Sequence, residues 1–139
     1  MTRPARKRKA GKPEPLYKIL APDGSPCHGG SGRWHLPAQG KLGKWMPKVS
    51  EIVPCAHGYH LCRSSDMPDW VLYGSALFRA EARGKRVVAM DKIIVESARL
   101  IARVESWTDD VIRAWATECA LRAVHVTLPP ALRAAGIAE

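Results

Sequence analysis

The sequence predicts an α+β fold: a small, mainly antiparallel sheet with one short inserted helix and a longer C-terminal helix. Three observations carry this. Short runs of alternating apolar residues bounded by Gly, Pro and Asp recur through the first hundred positions, as half-buried strands require. A polar cluster with a proline, residues 64–69, interrupts them where a helix can start. After Trp107 the apolar period lengthens to four, the spacing of a helix. With 139 residues the chain has one domain's length, and its aromatic content rests on five Trp and three Tyr with a single Phe.

The first fifteen residues lie outside that pattern. Residues 1–13 carry Arg3, Arg6, Lys7, Arg8, Lys9 and Lys12 and no acid. The net charge of +9 is therefore uneven: without those six, 16 basic residues face 13 acidic ones. Pro4, Gly11, Pro13 and Pro15 suit neither helix nor strand, so residues 1–15 read as a basic arm, disordered when free. Such an arm is a footprint for phosphates or for an acidic macromolecule, and equally a solubilising tail.

The body spans residues 16–126. Leu16–Leu20 alternates as the first strand, and Ala21–Pro26, with Asp23-Gly24, reads as a turn. Cys27-His28-Gly29-Gly30-Ser31-Gly32 follows; without a Gly-Lys-Ser/Thr it is no P-loop, and it reads first as a connector. From Arg33 to Lys48 bases and Trp interleave. Trp34 and Trp45 read as core residues on a hairpin, while Lys41, Lys44 and Lys48 are candidate nucleic-acid contacts in the body. Glu51–Pro54 is expected to be a short strand leading into the centre of the chain.

That centre is Cys55-Ala56-His57-Gly58-Tyr59-His60-Leu61-Cys62, which packs two of four Cys and two of five His into eight residues. Three readings stay open. Cys27, Cys55, His60 and Cys62 could hold zinc tetrahedrally, making a zinc-stabilised protein-interaction module; no other cofactor is indicated. Cys55 or Cys62 could be a nucleophile with His60 as base. Or the thiols are buried and unreactive around a hydrogen-bonded histidine.

A helix is expected next, capped by Ser64 or Ser65, with Trp70, Val71 and Tyr73 on its apolar side and Gly74 ending it. Ala76–Ala82 is a strand, Gly84-Lys85 a turn, and Arg86–Met90 and Lys92–Ile101 two more strands. Glu81 and Glu96 read as exposed, paired surface acids. Thr108-Asp109-Asp110 starts the long helix, whose stripe of Val111, Trp115, Cys119 and Ala123 reads as core-facing. Pro129-Pro130 should break it, leaving residues 127–139 as a tail with a short helix over Ala131–Ala135.

The combination of Cys27-His28-Gly29-Gly30, Cys55-x-x-Gly58-Tyr59-His60-x-Cys62, an Asp-Trp helix, Glu81-Ala82-Arg83-Gly84 and Asp91-Lys92-Ile93-Ile94-Val95 resembles an uncharacterised domain. That domain occurs in bacteriophage, prophage and actinobacterial proteins, and the similarity covers about residues 16–122. It implies a phage or mobile-element context and a compact α+β fold, without an activity. A strand ending in Gly-aromatic-His followed by a capped helix is also similar to the middle of ADP-ribosyltransferase-like folds. That likeness implies Tyr59 and His60 facing a nicotinamide and Glu96 as the acid.

No run of about 18 apolar residues exists and the basic N-terminus lacks an apolar core, so a cytoplasmic or virion protein without membrane contact is expected. Reduced thiols follow from that compartment. The leading expectation is a non-enzymatic phage or prophage accessory protein. Its arm would bind nucleic acid or an acidic host or virion protein.

Overall fold

The computed structural model describes residues 14–54 and 56–136. Four strands, β1 (Leu16–Leu20), β2 (Tyr59–Leu61), β3 (Ala76–Val88) and β4 (Ile93–Arg103), form one antiparallel sheet in the order β1-β3-β4-β2. The sheet curls until its two edges touch. Tyr17 of β1 and Cys62, just past β2, exchange two backbone hydrogen bonds of 2.8 Å. The concave side holds Leu16, Leu20, Leu61, Phe78, Ile93, Val95 and Leu100, with Trp34 and Met46 packed in from the connecting chain. Alternation along β1 puts Lys18 on the same inward row as Leu16 and Leu20, opposite the buried Phe78.

The turn at Ala21–Ser25 forms as expected. Asp23 accepts from the Ser25 N–H at 2.9 Å, and Gly24 has φ +89°, where a Cβ would stand 2.7 Å from the Trp34 carbonyl oxygen. Trp34 is core, but no hairpin carries it. The chain makes one tight turn, Ala38 to Lys41, and then runs irregularly beside β4. Gly43, Met46 and Val49 donate to the carbonyls of Leu100, Ala98 and Glu96. Prolines at 37 and 47 prevent a regular ladder. Trp45 is half-buried between the guanidiniums of Arg83 and Arg99, 4.2 and 4.6 Å from the ring centre, rather than in the core.

The expected strand at Glu51–Pro54 is instead one side of a tight turn, in which Val53 and His57 exchange backbone bonds. Pro54 has no N–H to give a ladder. Cys55 is outside the described residues. The helix expected through Tyr73 is a 3₁₀ segment confined to Ser64–Asp69. Its cap is not a serine. Buried Asp66 reaches back to the Arg63 N–H at 2.9 Å and to the Arg63 guanidinium, closing the segment on itself.

Gly84-Lys85 is a bulge rather than a turn: β3 continues through it to Val88 with a register shift against β4. Gly84 takes φ +82°, and the displaced Lys85 N–H finds the Glu96 carboxylate at 2.5 Å. Glu81 pairs with Arg99, as expected of a surface acid. Glu96 pairs with Lys48, yet it is buried, because its work is to satisfy the bulge.

Helix α1 (Asp109–Arg122) starts at Thr108, whose hydroxyl accepts from the Val111 N–H. Its buried residue is Ile112, one position off the expected stripe. Val111, Trp115 and Cys119 are exposed, so Cys119 is not core. Nor do the prolines break the helix. A wider π turn, Ala123–Thr127, precedes α2 (Leu128–Ala134), and Pro129 and Pro130 occupy the first turn of α2, where missing N–H groups cost little. Among the described residues no helix is long and apolar enough to cross a membrane.

Candidate functional site

The seam where β1 meets β2 closes at Tyr17–Cys62 and opens beyond that pair toward Ile19 and His60. A strand's peptide groups alternate, so Ile19 and His60 also turn their backbones toward the seam. There the ladder is not continued. Lys18 extends its amine across the gap and donates to the His60 carbonyl at 2.8 Å, while the Cys27 thiol donates to the Ile19 carbonyl at 3.7 Å. Two side chains thus replace the missing backbone bonds. The space they hold open is a cavity of about 400 Å³.

Aromatic residues wall this cavity. Trp34 and Tyr59 meet edge to face at 5.4 Å, and the Tyr59 hydroxyl donates to the Pro47 carbonyl at 2.6 Å. Opposite them, His28 stands edge-on to Trp70 at 5.2 Å, and its Nε2 contacts the Trp70 carbonyl at 2.7 Å. A carbonyl only accepts, so that nitrogen carries the proton. Trp70 is anchored in turn by its indole N–H on the Asp91 carbonyl at 2.6 Å. The Gly29-Gly30-Ser31 loop completes the rim.

Cations face these rings. The Lys18 ammonium lies 5.2 Å from the Trp34 ring centre and that of Lys92 lies 5.6 Å from Trp70. None of the described residues lining the cavity is Asp or Glu. Burial pulls the Lys18 pKa down to about 8, with the Cys62 and Cys27 thiols resisting the shift. Burial also pushes the Cys62 thiol up to about 11 and raises Cys27 and Tyr59. His60 is lowered, by burial first and then by the charges of Lys92 and Lys18. Near neutral pH the site therefore holds protonated thiols, a neutral imidazole and an amine that is easily discharged. The result is an aromatic-walled pocket that carries two lysines.

The structure brings Cys27, Tyr59, His60 and Cys62 to this one cavity. Among the described residues no three His, Cys, Asp or Glu side chains are grouped to hold a metal, and the Lys18 cation beside both thiols opposes one. Cys55, the fourth zinc candidate, lies outside the described residues. Glu96 does not join Tyr59 and His60: it lines a separate depression with Ser50, Lys85 and Arg86, its carboxylate held below the usual range by the Lys85 N–H and then by Lys48. The ADP-ribosyltransferase-like trio is therefore not assembled. A thiol with a raised pKa is also the reverse of what a Cys62–His60 nucleophile needs.

Lys41 and Lys44 are exposed, Lys48 is paired with Glu96, and the arm residues Arg3, Arg6, Lys7, Arg8, Lys9 and Lys12 lie outside the described residues. The sequence reading missed Lys18, His28, Trp70 and Lys92. Lys18 alone had a signal, its place between Leu16 and Leu20 on one strand face. Set against family models, curated proteins and solved structures, the chain matches none.

Proposed function

We propose that this chain is a non-enzymatic nucleic-acid-binding accessory protein, in which the arm contacts phosphates and the seam pocket receives a base. The observation that carries the reading is the pairing of two pocket lysines with tryptophans, Lys18 with Trp34 and Lys92 with Trp70, where no described lining residue is Asp or Glu. Trp70, half-buried at the cavity, offers a ring on which a base can stack, and core-packed Trp34 forms the floor beneath Lys18. An aromatic ring beside charges that attract a phosphate is an ingredient of single-strand binding. The six bases of residues 1–13 add the sequence-independent part of the affinity. Lys41 and Lys44, both exposed, extend the basic surface on the body. The phage or prophage setting rests on the Cys27 and Cys55–Cys62 motif resemblance.

Fluorescence anisotropy with labelled single-stranded and duplex oligonucleotides, read as a salt series on the full chain, tests this. Single strands are expected to bind tighter than duplex. Replacing the six arm bases by Gln should flatten the single-strand salt slope by at most about 4, at roughly 0.7 per phosphate contact. Trp70→Ala should instead leave the slope and cost about 1–3 kcal/mol of single-strand affinity. Absence of binding at moderate salt contradicts the reading. Salt-dependent capture of an acidic protein in its place would move the arm to that class of partner.

A further inference from the structure

We propose that Lys18 is an imine-forming amine, and that the seam pocket captures an aldehyde carrying an anionic group. This goes beyond nucleic-acid binding and does not depend on it. Lys18 sits where a strand normally presents an apolar side chain, between Leu16 and Leu20 on the inward row of β1. Its amine does not retreat into the core. It stands at the cavity wall, over the Trp34 ring, with the neutral His60 carbonyl as its hydrogen-bond acceptor. An ammonium in such surroundings, with no Asp or Glu among the described residues lining the cavity, is poorly compensated. Losing its proton relieves that cost and leaves a nucleophilic lone pair, the state by which enzymes activate lysine in apolar or cationic sites. Its depressed pKa agrees with this geometry.

The cavity holds what the chemistry needs. The lone pair of the neutral amine attacks the aldehyde carbon, forming a C–N bond while the carbonyl π pair moves to oxygen. That oxygen takes a proton and the nitrogen releases one, giving a carbinolamine. Loss of hydroxide with a second proton, as water, leaves the imine. His60 and Tyr59 are among the residues that line the same cavity, and an imidazole and a phenol are groups that can carry these protons. Two lysines, Lys18 and Lys92, with no Asp or Glu among the described lining residues, favour an anionic aldehyde over a neutral one. Two sources share that chemistry, a free sugar-phosphate-like aldehyde and the ring-opened sugar of an abasic nucleotide. Capture is stoichiometric and needs no turnover.

The test treats the full chain with pyridoxal 5′-phosphate, or with an abasic-site oligonucleotide, in the presence of sodium cyanoborohydride. The reagent's hydride reduces the imine to a stable secondary amine, and peptide mass mapping locates it. Lys18 is expected to be modified at least about tenfold faster than the exposed Lys41 and Lys44, as a desolvated, activated lysine would be. Its rate should level off above about pH 8, the value burial imposes. Lys18→Met should abolish the selective adduct, and because mapping is done on the native chain the result does not hang on that variant's folding. Selective capture of either aldehyde at Lys18 supports the proposal and identifies the source. If Lys18 reacts with neither, or no faster than the surface lysines, the proposal is overturned. Nucleic-acid affinity measured by anisotropy stands or falls separately.

Discussion

Lys18 is the residue on which the pocket's chemistry turns, and its effect on stability has a definite sign. Folding lowers its pKa from an ordinary 10.5 to about 8, so between those values the unfolded chain binds more protons than the folded one. Stability therefore rises with pH across that window. Cys62 acts in the opposite sense at higher pH. Its folded thiol keeps a proton up to about 11 that the unfolded thiol loses near 9, which lowers stability as pH rises between them. The clean interval for Lys18 is thus below pH 9. Denaturant unfolding should show the wild type gaining about 1 kcal/mol on Lys18→Met between about pH 7 and 9. A difference that does not change with pH would mean the amine is solvated. The placement of Lys18 could be read from its strand. The His28–Trp70 contact could not, because 42 positions separate the partners and no local pattern links them.

At the scale of elements, the strands were legible where alternation was clean and lost where backbone needs outside the strand decided the outcome. β1 and β4 follow their apolar rows. The bulge in β3 depended on an acceptor for the Lys85 N–H, supplied by Glu96 from eleven positions away. β2 has only three residues and is fixed by what precedes it. Gly58 turns into it at φ +122°, and a Cβ there would stand 2.5 Å from the Ile94 methyl. Gly58→Ala is therefore expected to cost about 1–3 kcal/mol from the strained backbone alone, with the overlap added. It should also loosen Tyr59 and His60 at the cavity. Chemical denaturation and the Tyr59 ring resonances report the two effects, and an unchanged midpoint would show that the turn can relax.

On the scale of the whole molecule, a curled sheet carries the pocket and a helix of three continuous segments leads away from it. The expected core-facing stripe failed because a period of four identifies a helix face without saying what covers it. Ile112, at 1 % exposure, is the buried contact of α1, whereas Trp115 is 39 % exposed. Ile112→Ala should accordingly cost about 2–5 kcal/mol. Trp115→Ser should shift stability by no more than about 0.5 kcal/mol. Thermal unfolding followed by circular dichroism checks both, and a large effect at Trp115 would place the helix against another surface.

In the proposed function the seam pocket itself, and not the basic arm alone, engages nucleic acid. Each tryptophan indole N–H gives its own resonance, so an NMR titration of the full chain with a short single-stranded oligonucleotide tests this claim most directly. The Trp34 and Trp70 indoles should move together with the resonances of residues 1–13, while Trp115 on the helix stays in place. Movement confined to the arm, with the Trp34 and Trp70 indoles unchanged at saturation, would contradict it.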